Sequence, residues 1–401
     1  MLDFSLEPEL SAQLEWMNDF VRTEVEPLDL LFPEGGLLYD VGNEQVRSIL
    51  RPLQQRVRDQ GLWACHLDSE FGGKGYGQVQ LAYMNEILGR SWWGPTVFGT
   101  AAPDTGNAEI LARFGTGEQK ERYLQPLLDG EIVSCFSMTE PQAGADPKEF
   151  VCSARRDGDS WVIDGEKWFS SNLRYAAFAI VMAVTDPDAA PHKRATMLLV
   201  PTDTPGFDMV RPLSNMGHID GPGHWEIAYE DCRVPVDVGT LGQVGSGFKV
   251  AQDRLGPGRI HHCMRLIGVA ERALELMCRR AESREMFGTK LSERQFVQDF
   301  IATSRAEIDG ARLVTQHAAW KLDLVGNREA RKELSVTKLV VPTMALTVVD
   351  RAIQVFGGAG VSDDTPLSWM YRYNRMLRIG DGADEVHKQV LARMELARWT
   401  T

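Results

Sequence analysis

The chain has 401 residues, 43% hydrophobic and 25% charged, a profile that suits a soluble, well-packed protein of two or three domains. Its formal charge of -13 excludes a general nucleic-acid or anionic-membrane surface, since either partner would be repelled at long range; only local basic pockets remain open to phosphates. The six cysteines, Cys65, Cys135, Cys152, Cys232, Cys263 and Cys278, form no CxxC pair and no zinc-like spacing with His, so buried thiols in a reducing, cytoplasmic compartment are expected.

The first residues, Met1 to Glu7, lack a basic start followed by an apolar run, so no leader is expected there, and no stretch reads as long and apolar enough to span a bilayer. From Pro8 to Gly130 the pattern is helical, with apolar residues three and four apart in Leu14 to Val25 and Gln78 to Leu88. A glycine cluster from Phe71 to Gly77 interrupts it. Strands follow. The segment Trp161 to Phe169 carries Asp164-Gly165 between alternating residues, which predicts a hairpin there. Further strands are expected at Ala176 to Val184, Ala195 to Val200 and His224 to Tyr229.

After Gly247 the helical period returns, and Ile260, Met264, Ile267, Leu274 and Met277 share one stripe of a long helix. Ser292-Glu293-Arg294-Gln295 has the form of a capping box opening a second helix toward Leu324. A third helix runs from about Glu329 to Phe356 and stops at Gly357-Gly358. The order predicts an α+β chain: a helical domain over 1–132, a β domain over 133–243 and a helical domain over 244–401.

Taken singly, the polar segments have plain readings. Asp381-Gly382 is a turn signal, and Asp384 is a fair N-cap for a final helix from Glu385 to Ala397. Met138-Thr139-Glu140-Pro141 reads as a Pro turn, and Arg284 as one surface ion pair among many. His261 and His262 are successive on a helix, face different ways, and suit packing or hydrogen bonding. No strand-linked GxGxxG, P-loop or HExxH occurs, so nicotinamide, ATP and zinc chemistry lack support.

Taken together, the segments Met138 to Gly144, Arg284-Glu285-Met286-Phe287-Gly288 and Ile379 to His387 resemble, in this order and at these separations, the flavin- and acyl-CoA-binding segments of the acyl-CoA dehydrogenase family. The resemblance extends from about Leu14 to Leu396. It is strongest to the subgroup fused to kinase-like domains in animals and to its stand-alone bacterial relatives, through Arg254 to Arg265 and the Asp-Gly-x-Asp-Glu-Val-His ending. It implies an N-terminal helical domain, a β-barrel-like middle domain and a C-terminal four-helix bundle. The implied reaction forms a trans double bond beyond a thioester, with FAD as cofactor and an electron-transfer flavoprotein as acceptor.

The same resemblance assigns residues. Asp381 falls where the family carries its catalytic Glu, and a carboxylate in a water-poor site has its pKa raised toward the range of a general base. Its side chain is shorter by one C–C bond of about 1.5 Å, so substrate, backbone or flavin must compensate. Some branches place the base at the position of Gly258, which cannot serve, and leave nearby Asp253 as a residue to check. Phe136, Met138 and Thr139 would line the isoalloxazine, Phe169 would cover one flavin face in place of a Trp, and Ser171 stands for a Thr. Arg284 would reach the FAD pyrophosphate of a neighbouring subunit, with Phe287 and Gln295 beside it; Gln354, Gly357 and Gly358 would lie along the adenosine half. Ala383 and Glu385 continue the FAD segment, and Ala145, Arg259 and Gly382 would face the acyl-CoA.

Shared FAD sites imply a homodimer or homotetramer. Gly380, in place of an aromatic, suggests a roomier pocket mouth. Two alternatives remain: a flavin oxidase on the same scaffold for substrates such as nitroalkanes, whose members also use an aspartate here, and a flavoprotein or acyl-CoA-binding protein without turnover.

Overall fold

The computed structural model describes residues 5–32, 35–71, 73–219 and 223–400. Met1 to Phe4, part of the segment read for a leader, and Gly72 of the glycine cluster lie outside these residues. In chain order the longer helices are α1 (Pro8–Phe20), α2 (Glu44–Asp59), α3 (Gln78–Leu88) and α4 (Asp104–Phe114), before an eight-stranded sheet. Its strands are β1 (Val133–Ser137), β2 (Ser153–Asp157), β3 (Ser160–Ser171), β4 (Ala176–Val184), β5 (Ala195–Pro201), β6 (Phe207–Leu213), β7 (His224–Pro235) and β8 (Thr240–Leu241). Then come α5 (Gly247–Ser283), a hairpin of β9 (Glu285–Met286) and β10 (Thr289–Lys290), α6 (Gln295–Glu329), α7 (Arg331–Phe356), α8 (Leu367–Leu377) and α9 (Asp384–Leu396). This is the expected succession of helical, β and helical segments.

Tertiary contacts divide the chain into two units. Unit 1 comprises 1–33, 76–95 and 258–401; unit 2 comprises 34–75 and 96–257. In unit 2 the sheet order is β6-β7-β3-β1-β4-β5-β8, and β2 pairs with both β3 and β4, which closes a ring of strands in the manner of a barrel. β4 explains itself from composition: its run of nine small and apolar residues is buried on both faces. Phe178, Ile180 and Met182 pack toward Ile110 and Leu111 of α4, while Ala179, Val181 and Ala183 enter a second core with Leu198 and Val200.

In unit 1, the stripe predicted on α5 is buried, and Val341, Ala345 and Val348 of α7 share its core. α3 lies so close to α5 that a Cβ on Gly268 would come within 1.8 Å of the Glu86 carbonyl oxygen, so only glycine allows the approach. The Asp323 carboxylate of α6 accepts the Gln78 and Val79 amides at 2.7 and 3.0 Å, capping α3 from a distant element. α6 departs from helical geometry at Gly326.

Four local expectations are corrected. Asp164-Gly165 is no hairpin: β3 runs through it with a register shift, and the reversal between β2 and β3 falls at Asp157 to Ser160. Gly165 is required there because a Cβ would meet the Cys152 backbone at 2.7 Å. The Ser292 capping box does not form; Leu291–Glu293 is a short 3-10 turn and α6 starts after Arg294 without a side-chain cap. Asp384 is the first residue of α9, which Ala383 precedes as cap, because its carboxylate is drawn to Arg378. Finally, α7 is long and apolar enough to cross a bilayer, against the reading that no stretch is; it packs on α6, α8 and α9 as the central helix of the bundle and buries Lys338.

Candidate active site

The turn between α8 and α9 carries Asp381. Three cationic side chains of unit 1 fix its backbone. Lys338, 2% exposed on apolar α7, donates from Nζ to the carbonyls of Leu377 and, at 2.8 Å, Gly380. Arg259 on α5 donates from Nε to the Asp381 carbonyl at 2.9 Å. Arg378 closes the turn onto Asp384 at 2.8 Å, and the Asp384 amide returns to the Arg378 carbonyl at 3.1 Å. Backbone carbonyls that would otherwise point unsatisfied into the bundle are thereby paired.

Asp381 itself has φ +56°, a left-handed conformation that Asp and Asn tolerate better than most residues, and Gly382 follows at φ +106°. A Cβ at 382 would stand 2.9 Å from His387 Nε2, a second reason for glycine. The Asp381 carboxylate is partly buried and its Oδ2 lies 3.5 Å from His262 Nε2. Positive charge surrounds it: burial pulls the Arg259 guanidinium below its ordinary range, and the Asp381 charge opposes that shift. His387 is held at about 4, first by burial and then by the cations Arg259 and Lys338, so it is neutral near pH 7.

Unit 2 supplies a different surface. β1 ends at Ser137, and Met138, Thr139 and Glu140 follow it. Glu140 and Lys167 are both fully buried and pair at 2.7 Å; Glu140 also accepts the amides of Val151 and Cys152, while Lys167 donates to the Met138 carbonyl at 2.8 Å. The Thr139 carbonyl accepts the Trp168 amide at 3.0 Å. These bonds anchor the strand end that presents Met138 and Thr139. Across it, β3 bulges between Lys167 and Ser170, which turns Phe169 into a left-handed conformation, φ +51°, with its ring 43% exposed beside Trp168. Ser171 Oγ lies 3.0 Å from His224 Nδ1, and burial holds His224 at about 4. Phe136 lies under the Arg254 guanidinium, 3.8 Å from its ring centre, and Arg254 Nε donates to Asn107.

The remaining expected residues lie on exposed backbone. Arg284 precedes the β9–β10 hairpin, at whose tip Phe287 takes φ +52° and is 93% exposed; Gln295 opens α6 and is exposed. Gln354, Gly357 and Gly358 end α7, and nothing lies within 4 Å of a Cβ built on either glycine. Ala145 is exposed in the loop before β2, Ala383 caps α9, and Glu385 pairs with Lys388 at 3.6 Å. Arg259, Asp381 and Gly382 are brought together. Asp253 falls on the part of α5 that belongs to unit 2.

Each unit by itself carries groups that suit part of a flavin: unit 2 has an exposed aromatic wall at Phe169 and a fixed strand end with the Thr139 hydroxyl, and unit 1 has an exposed Arg284 and an open glycine backbone at the α7 terminus. By contrast, a pocket of about 70 Å³ in unit 2, lined by residues including Arg47, Trp63, His66 and Asp104, holds none of the expected residues. Lys338 and Lys167 received no site role from the sequence, and His262 was read only for packing or hydrogen bonding; Lys338 borders an apolar run, Lys167 follows the polar Asp164-Gly165-Glu166, and His262 lies three residues after Arg259, on the same helical face.

Comparison with known families matches three models along the chain: "Acyl-CoA dehydrogenase, N-terminal domain" over residues 8–131, "middle domain" over 135–232 and "C-terminal domain" over 245–396. The chain is 44% identical over 401 residues to the "Probable acyl-CoA dehydrogenase FadE2" of Mycobacterium tuberculosis, covering 99% of this chain and 98% of that one. It is 49% identical over 365 residues to "Acyl-CoA dehydrogenase family member 11" of Gallus gallus, covering 88% of this chain but 46% of that protein, so it spans about half the length of that relative. A solved chain from Mycobacterium abscessus is 40% identical with TM-score 0.90, covering 99% of this chain and 100% of its own. The butyryl-CoA dehydrogenase of Megasphaera elsdenii is 27% identical with TM-score 0.82, covering 98% and 100%.

Proposed function

The chain belongs to the acyl-CoA dehydrogenase family and is an FAD-dependent oxidoreductase, and on that premise we propose that it converts an acyl-CoA thioester to the trans-2-enoyl-CoA. When bound, FAD supplies the acceptor for the hydride that leaves Cβ. Phe136, Met138, Thr139, Phe169 and Ser171 would hold its isoalloxazine, and Arg284, Phe287, Gln295, Gln354, Gly357, Gly358, Ala383 and Glu385 the rest. Asp381 takes the proton from Cα, and the electron pair of that C–H bond becomes the new double bond.

The observation that carries this reading is the setting of Asp381. A carboxylate in a left-handed turn, with its backbone held by Arg259 and Lys338, is fixed before substrate arrives; preorganisation of this kind turns a weak base into an effective one. The relatives are named for acyl-CoA and butyryl-CoA, which supports the substrate class. Transfer of electrons to an electron-transfer flavoprotein and a place in fatty acid β-oxidation belong to the same proposal, as does cytoplasmic work, which suits six thiols without a disulfide. So does a homo-oligomer, supported by Phe287 and Phe296 at 93% and 83% exposure on unit 1.

The test is the visible spectrum of the purified holoprotein, mixed anaerobically with straight-chain, branched and hydroxylated acyl-CoAs, beside Asp381→Ala. Bleaching by one class, lost in the variant, is expected. Flavin that no acyl-CoA bleaches, together with oxygen uptake on nitroalkanes, would replace this reading with the oxidase.

A further inference from the structure

Asp381 is joined to a second side chain that no part of the reaction above uses. His262, on α5 one helical turn beyond Arg259, places Nε2 3.5 Å from Asp381 Oδ2, and its Nδ1 lies 3.3 Å from the hydroxyl of Tyr373 on α8. Tyr373 is in turn packed edge-on against Trp92, with ring centres 5.3 Å apart. Three residues from three elements of unit 1 thus form a file of tyrosine, imidazole and carboxylate.

The direction of the hydrogen bonds follows from chemistry. A base must rest as a carboxylate, which only accepts, so Nε2 carries the proton toward Oδ2 and Nδ1 accepts from the tyrosine hydroxyl. Burial raises the Tyr373 phenol, so it remains a donor at neutral pH. The 3.5 Å separation is longer than a close hydrogen bond, and contacts of this kind commonly tighten only when substrate fills the site; once tightened, the donor restrains rotation of the carboxylate about its terminal bond.

We propose that His262 is a positioning residue for Asp381: it holds Oδ2, presents Oδ1 to the proton on Cα of the thioester, and is itself kept in the donating tautomer by Tyr373. The proposal rests on Asp381 as the base. It also offers an answer to the short side chain, since a carboxylate that reaches less far must be aimed more strictly. During the reaction Oδ1 takes the proton from Cα and the electron pair of that C–H bond enters the double bond, the acceptor for the hydride from Cβ being what bound FAD would supply. No proton moves on His262.

The charged and titratable groups facing the carboxylate are Arg259, His262 and the Cys263 thiol from α5, Lys338 from α7, Tyr373 from α8 and His387 from α9. Of these, His262 places Nε2 3.5 Å from Oδ2. Removing it takes a donor from the ionised form of Asp381 and leaves the backbone anchors in place, so the acid limb of the rate must move to higher pH.

The experiment uses the holoenzyme and a 3-thiaacyl-CoA, in which sulfur replaces C3, blocks hydride loss and leaves only exchange of the α-proton, followed in D2O by NMR. In His262→Leu, exchange is expected to fall roughly tenfold or more, with the acid limb displaced upward and the dissociation constant of the thia compound within about twofold. His262→Gln, which restores an N–H donor, recovers most of the rate, and Tyr373→Phe loses about three- to tenfold. Flavin content and thermal midpoint are recorded for each; should His262→Leu lose FAD, the pH profile of Tyr373→Phe decides. Exchange within twofold of wild type and an unmoved acid limb in His262→Leu, or in Tyr373→Phe, would overturn the proposal. If Asp381→Asn abolishes exchange in that same series, the base reading survives alone; if Asp381→Asn exchanges normally, that reading falls first.

Discussion

Arg259 donates its Nε to the main-chain carbonyl of Asp381, not to the carboxylate, at 2.9 Å. An arginine that held the carboxylate itself would lower its basicity; one that holds the carbonyl fixes the turn. Lys338 acts in the same way on the carbonyl of Gly380. The bundle therefore uses one buried and one half-buried cation to shape the loop that carries Asp381.

The left-handed backbone at 381 restricts which carboxylate suits this turn. Asp381→Asn is expected to fold with wild-type stability, because Asn tolerates positive φ, whereas Asp381→Glu loses about 1 kcal/mol although it reaches further. Urea unfolding of the two variants measures the difference. Equal stability would mean that the conformation carries no side-chain preference.

The ion pair of Lys167 and Glu140 is fully desolvated, so breaking it leaves a buried charge without its counterion. Lys167→Met is expected to cost about 3 to 5 kcal/mol and to release flavin, since the Met138 carbonyl loses its donor as well. Pairing it with Glu140→Leu removes the orphaned carboxylate and recovers part of the stability. Denaturant titration with flavin absorbance reads both effects.

Phe169 is an aromatic on a strand that packs little. A core phenylalanine replaced by a small residue costs about 3 to 5 kcal/mol, but here φ is +51° and the ring is 43% exposed, so Phe169→Gly relieves backbone strain while it removes an exposed wall. The apoprotein is expected to melt within about 1 kcal/mol of wild type, and the flavin-to-protein ratio to fall. A large loss of apoprotein stability would return Phe169 to the core.

Glu109 on α4 is 7% exposed, its Oε2 has no hydrogen-bond partner among the described residues, and burial pushes its carboxyl to about 7 despite Arg113 and Arg254. The folded state therefore keeps a proton that the unfolded chain releases near its ordinary value of 4.5, and stability from this group falls as pH rises from about 4 to 7. Glu109→Gln is expected to be nearly neutral at pH 4 and stabilising by about 2 to 3 kcal/mol at pH 8. Thermal melts at the two values test the sign; a variant that is less stable at pH 8 would show that the arginines need the charge.

The fold was largely legible because its signals are local. The helix at Gln78–Leu88 and the strand at Ala176–Val184 follow from period alone, and the stripe from Ile260 to Met277 announces a bundle helix without reference to any partner. Caps and turns were less legible where a distant group competed for the same atoms: Asp384 gives its carboxylate to Arg378 instead of capping α9, and Gly165 sits in a bulge because Cys152 passes close by.

For the site, Asp381, Thr139 and Arg284 came from the resemblance of short segments, since taken singly they read as a turn, a Pro turn and a surface ion pair. What no segment contains is the meeting of elements far apart in sequence. Lys338 reaches Gly380 across 42 positions, and His262 reaches Tyr373 across 111. Only tertiary packing settles which buried donor finds which acceptor, because an unpaired polar group inside a bundle is costly and is relieved by whichever partner folding brings near.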